Sequence, residues 1–134
     1  MKDAPDGSVW VQNVNVVLNT PTPSEPASEN AAGGPGRYSG TATTYQTVVS
    51  WTVATGKIGE LKEITILSSN YAKTVVQVTV GSVVWATGWT VQAAMPLIFE
   101  DLKLAAGSVV KVEVKSSDGT SITVDAVITA KEIG

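Results

Sequence analysis

Residues 109–133 read VVKVEVKSSDGTSITVDAVITAKEI, two runs of alternating apolar and polar residues joined by a turn sequence. In the first run Val110, Val112 and Val114 alternate with charged residues, and the second run keeps the same period from Ile122 to Ala130. Because successive side chains of a strand point to opposite faces, each run predicts a strand with one apolar face. The sequence SSDG at residues 116–119 predicts a tight turn, so we expect the two strands to form a hairpin.

The same pattern recurs toward the N-terminus, in segments rich in Val and Thr, whose branched side chains favour strands. Gly81-Ser82 separates two such segments and predicts a second hairpin. No segment keeps helical spacing, so we expect almost no helix. The remaining predicted strands are residues 9–18, 43–54, 60–69, 73–80, 83–86 and a segment from Leu97 to the turn at residues 105–107. About eight antiparallel strands bury their apolar faces best as two stacked sheets, which predicts an all-β sandwich or jelly roll.

The N-terminal part of the chain has a different composition. Residues 9–18 alternate as a strand, and the face that carries Trp10 is the expected core face. Residues 19–40 read NTPTPSEPASENAAGGPGRYSG, and so many Pro, Gly and Ser residues favour a long loop or extended arm. We therefore predict an N-terminal strand and arm over residues 1–40 and a sandwich domain over residues 41–134.

The composition excludes several functions. The 134 residues contain no Cys and no His, which removes disulfides, the usual zinc sites and His-based catalysis. A net charge of −3 does not suit a nucleic-acid partner, and without a long apolar run no membrane partner is expected. Glu100 and Asp101 would point to opposite faces of a strand, so they cannot act together, and Asp118-Gly119 is read as a turn rather than a calcium loop. We expect no catalytic residue, metal or cofactor.

The four Trp residues and Tyr71 are the remaining candidates for a site. Trp51 lies within an alternating strand and is expected in the core. Tyr71, Trp85 and Trp89 are placed near loops, where exposed rings could form a platform for sugar stacking. The pattern favours somewhat more a role for Trp85 and Trp89 in closing the end of the core or in a subunit interface, because interfaces are enriched in Trp and Tyr. Both interpretations stay open.

The region from about residue 56 to residue 133 resembles the jelly-roll decoration, or cement, proteins of tailed-bacteriophage capsids. The resemblance rests on the order of four segments and includes no invariant motif. GELKEITILSSN precedes the Val-rich hairpin KTVVQVTVGSVVWATG, then MPLIFEDLKLAAGS follows, and VVKVEVKSSDGTSITVDAVITAKEI ends the series. It implies a non-enzymatic virion protein, made in the host cytoplasm, that binds the outer capsid surface and bridges subunits of the major capsid protein.

The resemblance also implies a homo-oligomer, with a trimer favoured. Apolar residues on faces that would otherwise be exposed, Val11, Val17, Val48 and Val127, are consistent with an oligomer. The residues expected to contact a partner or a second copy are Val11, Val17, Pro21, Pro23, Pro26, Arg37, Tyr38 and Trp89. The alternatives are a carbohydrate-binding, lectin-like sandwich that uses Tyr71, Trp85 and Trp89, and another structural module such as a tail or fibre domain.

Overall fold

A computed structural model describes residues 28–134 of the chain. These residues form β1 (Glu29–Gly40), β2 (Gln46–Thr52), β3 (Ile58–Ser68), a 3₁₀ turn (Tyr71–Lys73), β4 (Thr74–Val80), β5 (Val83–Thr90), β6 (Met95–Leu104), β7 (Val109–Ser116) and β8 (Ile122–Ile133). The all-β prediction is confirmed. In this part of the chain no helix has the length and apolar character needed to cross a membrane. The strand predicted at residues 9–18 and the contacts expected at Val11, Val17, Pro21, Pro23 and Pro26 lie outside the described residues.

The strands form two antiparallel sheets in the orders β1-β8-β3-β6 and β2-β7-β4-β5. Antiparallel pairs join β1 to β8, β2 to β7, β3 to β6 and β4 to β5, as in one long hairpin rolled up on itself. This pairing is the jelly-roll topology of the predicted sandwich. In such a roll, consecutive strands alternate between the two sheets, except β4 and β5 at the tip of the long hairpin.

The two predicted hairpins therefore have different outcomes. Val80 pairs with Val83, and Gly81 and Ser82 both have positive φ, so the β4–β5 hairpin is confirmed. The hairpin predicted for residues 109–133 is wrong, because β7 and β8 belong to different sheets. The turn between them instead carries the chain across the core. The alternating sequence pattern is the same whether the next strand pairs in the same sheet or lies in the facing sheet.

Strand β1 occupies residues that the sequence indicated as part of the arm. Its 12 residues pair without interruption with β8, from Glu29 opposite Ile133 to Gly40 opposite Ile122. The arm interpretation is wrong for residues 29–40. Pro is tolerated here because, among residues 28–134, β1 is the edge strand of its sheet, and the glycines allow close approach of neighbouring chain segments.

The core lies between the two sheets and is built from the alternating residues that the sequence indicated. Val110, Val112 and Val114 of β7 are fully buried, as are Ile122 to Ile128 at every second position of β8. Val48 was expected on an exposed face and is buried, because a bulge between Thr47 and Val49 turns two consecutive residues inward. Val127, expected on an exposed face, is 38% exposed on the outer face of its sheet.

The two long sides of the sandwich differ. On one side the edge strands β1 and β2 meet at Gly36, where an added Cβ would lie 2.0 Å from the carbonyl oxygen of Val48. Only glycine fits at such a distance, so this side is closed. On the other side the edge strands are β5 and β6, and a groove lies between them. The open side therefore has a groove between its edge strands, and the closed side does not.

Candidate functional site

The open side carries a strip of exposed apolar side chains, which we call the β5–β6 edge patch. It consists of Val83 (59% exposed), Val84 (51%), Trp85 (56%), Trp89 (43%) and Ile98 (66%). Four of the five lie on β5, which has Ala86 as its only buried residue. Large apolar side chains gathered at one edge are typical of a surface that contacts another molecule.

A groove of about 280 Å³ runs through this patch between the two sheet edges. Its lining is mainly apolar, carries no charged side chain and consists of Val78, Trp85, Ala86, Trp89, Leu97, Ile98 and Phe99. The rings of Trp85 and Phe99 meet across it with centroids 5.5 Å apart and planes inclined by 57°. A tilted pair of this kind contributes about 0.5–1.5 kcal/mol beyond the area that it buries. The contact ties the two sheet edges together, with Trp85 largely exposed and Phe99 partly buried against the core.

Irregular backbone on both edge strands shapes the groove. On β5 the pairing with β4 shifts twice, once beside Trp85 and once at Thr87-Gly88. On β6, Glu100 and Asp101 both have positive φ within a bulge opposite Lys62. The regular strand that the sequence predicted for this acidic pair is therefore wrong locally. Bulges change the direction of side chains and interrupt the backbone pairing. The bulges on β5 and β6 therefore allow Trp85 and Phe99 to point toward one another.

A polar network on the outer face of the second sheet holds β5 in position. The Tyr45 hydroxyl accepts a hydrogen bond from the backbone N–H of Gly88 at 2.8 Å. Thr87 donates to Gln77 at 2.7 Å, and Gln77 donates to Glu113 at 2.8 Å. The ammonium group of Lys115 lies 4.7 Å from the centre of the Tyr45 ring. These contacts cross the whole sheet and support the bulge from which Trp85 and Trp89 project.

The aromatic residues indicated by the sequence have three different environments. Trp51 is buried at 7% exposure, as predicted, and its indole N–H donates to Glu132 at 2.9 Å across the two sheets. Trp85 and Trp89 share the groove on the open side. Tyr71 lines a different depression, of about 410 Å³, with Ala72, Thr90, Val91 and Gln92. The platform interpretation therefore fits the two Trp residues better than the set of three.

Arg37 and Tyr38, expected as partner contacts, lie on β1. Arg37 is largely exposed and forms a two-pronged ion pair with Asp125, at 2.6 and 3.0 Å. Its hydrogen bonds hold the pKa of Asp125 below the ordinary value. Tyr38 is half-buried, and its hydroxyl accepts the backbone N–H of Ala42 at 3.1 Å. Tyr38 thus forms its hydrogen bond within its own sandwich, whereas the Arg37 side chain remains accessible to a partner.

The charged residues form structural pairs instead of a site. Across the outer face of the first sheet, Lys131 contacts Glu29 at 3.0 Å and Glu60 at 3.4 Å, and Lys103 contacts Glu60 at 2.6 Å. These four side chains alternate in sign across four neighbouring strands, and we call them the charge ladder. Hydrogen bonds from Lys103 and then Lys131 lower the pKa of Glu60 to about 2. Glu60 therefore keeps its negative charge down to acidic pH.

Asp118 stabilises the turn between β7 and β8. It accepts hydrogen bonds from the backbone N–H of Thr120 at 3.0 Å, from the Thr120 hydroxyl at 2.7 Å and from Lys73 at 2.7 Å. The bond from Lys73 does most to depress the pKa of this carboxyl group. Among the described residues no cluster of three acidic side chains could hold a metal ion. Asp118 thus acts as a turn residue, as the sequence interpretation proposed.

Sequence reasoning missed Val83, Val84, Ile98 and Phe99 as residues of the surface. The signal was present as two runs of consecutive apolar residues, VVWA at 83–86 and LIF at 97–99. A strand with consecutive apolar residues has apolar side chains on both faces, and only one face can enter the core. Such runs on two strands indicate an apolar outer surface, although they do not say that the two strands adjoin.

No protein-family model and no curated protein matches the chain. Among solved structures, a chain of the cyanophage Pam1 capsid asymmetric unit is similar at 15% identity and a TM-score of 0.46, covering 87% of this chain and 93% of that chain. The CBM36-1 domain of a multidomain xylanase from the hindgut metagenome of Trinervitermes trinervoides is similar at 17% identity and a TM-score of 0.39, covering 80% and 97%. These values identify neither a family nor a function.

Proposed function

We propose that the protein is a non-enzymatic structural protein of a virion, which binds the outer surface of a phage capsid and bridges neighbouring capsid subunits. The observation that carries the proposal is the β5–β6 edge patch, an uncharged apolar strip beside an apolar groove. The sequence resemblance to capsid decoration proteins supplies the biological setting. The chain is made in the host cytoplasm and functions on the outside of the virion.

The chemistry of the patch favours a protein partner. Fully buried centres of protein interfaces are poor in charge and rich in aromatic residues, which matches the lining of this groove. A catalytic pocket would need titratable or nucleophilic groups facing a cavity, and no residue of this lining carries one. Burying such a strip against another chain removes its large side chains from water, and each of them contributes about 1.5–3 kcal/mol when fully buried.

The partners in this proposal are the major capsid protein and further copies of the same chain, with a trimer favoured. No cofactor, nucleic acid or membrane takes part. Contacts come from the exposed edge around Trp89, from Arg37 on β1 and from the N-terminal residues Val11, Val17, Pro21, Pro23 and Pro26. A rigid sandwich with an apolar edge suits a clamp, because the clamp must hold neighbouring subunits at a constant separation.

Binding to capsid shells tests the proposal. Shells are assembled from the major capsid protein encoded in the same genome, mixed with the protein and sedimented. We expect saturable binding that Ile98→Ser, on the exposed edge, weakens about tenfold or more. Leu67→Ser is the matched control, because Leu67 is also an exposed apolar residue (45%) but lies on the outer face of β3. Absence of binding, or equal loss in both variants, would contradict the proposal.

Carbohydrate binding is the second candidate, and it is favoured by the exposed rings of Trp85 and Trp89 in one groove. Sugar binding also needs polar groups that hydrogen-bond the hydroxyl groups, and the side chains that line this groove offer none besides the indole N–H groups of Trp85 and Trp89. A glycan array combined with light scattering separates the candidates. Sub-millimolar binding by a monomer, abolished by Trp89→Ala, would favour the sugar module and contradict the virion role.

A further inference from the structure

The two edge strands of the open side belong to a long uncharged stretch of the sequence. No charged residue lies between Lys73 and Glu100, and this stretch includes all of β5 and the first half of β6. Among residues 28–134, these two strands are the edges of their sheets on the open side. An exposed apolar edge with few charges offers its unpaired backbone groups to a strand of another molecule. The composition of the open side therefore favours pairing with a second copy of the chain.

The backbone of β5 does not offer a continuous edge. Val83 and Val84 pair in register with β4, and the pairing then shifts, so that Trp85 is an extra residue. The pairing shifts again before Trp89, where Gly88 has a φ of 69°. A strand that adds to an edge needs backbone groups at regular intervals, and these shifts interrupt them. An added strand would therefore form only isolated hydrogen bonds with β5.

The bulge of β6 is larger than those of β5 and is formed by residues other than glycine. Between its pairs at Ile98 and Leu102, β6 has three residues where β3 has only Lys62. Two of the three, Glu100 and Asp101, have φ values of 49° and 69°. Positive φ is unfavourable for such side chains, and strain of this kind persists only where the surrounding structure holds it. Lys62 holds the bulge through its ion pair with Asp101.

The bulge of β6 also brings charge to the edge. Glu100 and Asp101 are the first charged residues after the uncharged stretch, and both are exposed. Charged residues that flank an apolar strand hinder its pairing with other chains, because burying a carboxylate without a partner costs free energy. The backbone pairing of β6 is thus interrupted at the position where the charges begin.

The closed side is protected in a different way. β1 pairs with β8 over all of its 12 residues without a register shift, so its backbone is regular. This regular edge strand is covered by β2 at Gly36. In the part of the chain that the structure describes, the regular edge strand is therefore covered, whereas the two strands at the open side are interrupted.

We propose that the bulge at Glu100-Asp101, together with the register shifts of β5, blocks strand addition at the open side and so prevents edge-to-edge assembly with a second copy of the chain. The side chains of the β5–β6 edge patch stay exposed, because a bulge interrupts backbone pairing without burying them. The block is a property of the single chain. One consequence rests on the proposed function: the capsid partner contacts the patch through side chains and adds no strand to it.

Two double variants of the bulge separate the effect of its backbone from the effect of its charge. Glu100→Thr/Asp101→Val favours an extended backbone, because β-branched residues strongly disfavour positive φ. Glu100→Asn/Asp101→Gly removes the same two charges but favours positive φ. Both variants leave Lys62 without its partner at residue 101. A difference in assembly between the two variants therefore comes from the backbone.

Light scattering of the full-length chains over a range of concentrations measures the assembly. We expect Glu100→Thr/Asp101→Val to form larger species at a concentration at least tenfold lower than the unchanged chain requires, and Glu100→Asn/Asp101→Gly to behave as the unchanged chain does. In the larger species, hydrogen exchange along β6 should be at least fivefold slower, because pairing protects the backbone amides. Equal assembly of the two variants, or larger species with unchanged exchange along β6, would overturn the proposal.

Deletion of Asp101 provides a second test if Glu100→Thr/Asp101→Val does not fold. The deletion shortens the bulge by one residue and leaves Phe99 and Leu102 two positions apart, so both keep to the core side of the strand. We expect the same larger species from this variant. A folded deletion variant that assembles as the unchanged chain does would overturn the proposal, and so would failure of both variants to fold, because the bulge would then be required by the fold itself. No capsid is involved, so failure of this proposal is distinguishable from failure of the proposed function.

Discussion

Replacing Gly36 by alanine is expected to disrupt the closed side of the sandwich. The new Cβ would lie 2.0 Å from the carbonyl oxygen of Val48 and 2.8 Å from the Cβ of Val49. To restore an ordinary contact of 3.4 Å, β1 and β2 must separate by about 1.4 Å, the difference between 3.4 and 2.0 Å. Because the obstacle is backbone, no side-chain rotation relieves it.

Overpacking of this kind costs about 1–3 kcal/mol, and we expect the upper end of that range because both colliding segments belong to paired strands. The assay is urea unfolding followed by tryptophan fluorescence, with the midpoint and slope compared with those of the unchanged chain. Pro35→Ala is the neighbouring control, since Pro35 is exposed on the same strand and its replacement costs less than about 1 kcal/mol. Equal free energies of unfolding for the two variants would refute a close contact at Gly36.

Three further predictions concern the polar contacts. Glu60→Gln should lower the urea midpoint most at pH 6–7 and progressively less as the pH falls toward 2. Because the pKa of Glu60 is lowered to about 2, its charge stabilises the fold fully above the ordinary pKa of 4.5, and this effect is lost as the pH falls through about 2. A midpoint difference independent of pH would contradict this. Tyr45→Phe should speed hydrogen exchange at Gly88 about fivefold, the effect of one lost hydrogen bond, and unchanged exchange would show that Tyr45 does not hold β5. Glu132→Ala should lower the free energy of unfolding by about 1–3 kcal/mol, because Trp51 and Ala54 both lose a hydrogen-bond acceptor. Glu132→Gln keeps an acceptor, so it should lower the free energy of unfolding by less in the same urea assay.

The alternating pattern was sufficient to predict most of the side chains that enter the core, although not Val48. Val112 and Val124 are buried where the period of two placed them. The same pattern could not show which strands pair, because the apolar faces of β7 and β8 are satisfied equally by a shared sheet and by two facing sheets. Only the long-range pairing of β8 with β1 and β3 decides between these arrangements.

Local irregularities were also outside the reach of sequence reasoning. The composition of β1, with Gly33, Gly34, Pro35 and Gly36, favours a loop, yet pairing with β8 and contact with β2 outweigh that local preference. The bulge that buries Val48 depends on its partner strand, β7. Neither the contacts of β1 with β8 and β2 nor the pairing of β2 with β7 can be recognised from the residues nearby in the sequence.

The candidate site was predictable in part. Trp85 and Trp89 were indicated as exposed or interface residues from their position near loops. Their combination with Ile98 and Phe99 depends on the two sheet edges meeting on the open side, a property of the jelly roll as a whole. The sequence thus indicates the members of the patch separately, whereas the fold brings them together.

Electron cryomicroscopy of capsid shells incubated with the full-length chain tests the proposed function most directly. We expect additional density on the outer surface, lying across the junctions between capsid subunits. Within that density, the edge formed by β5 and β6 should face the shell or a second copy of the chain. Bare shells, or a sandwich attached through the outer face of a sheet with the β5–β6 edge patch open to solvent, would contradict the proposal.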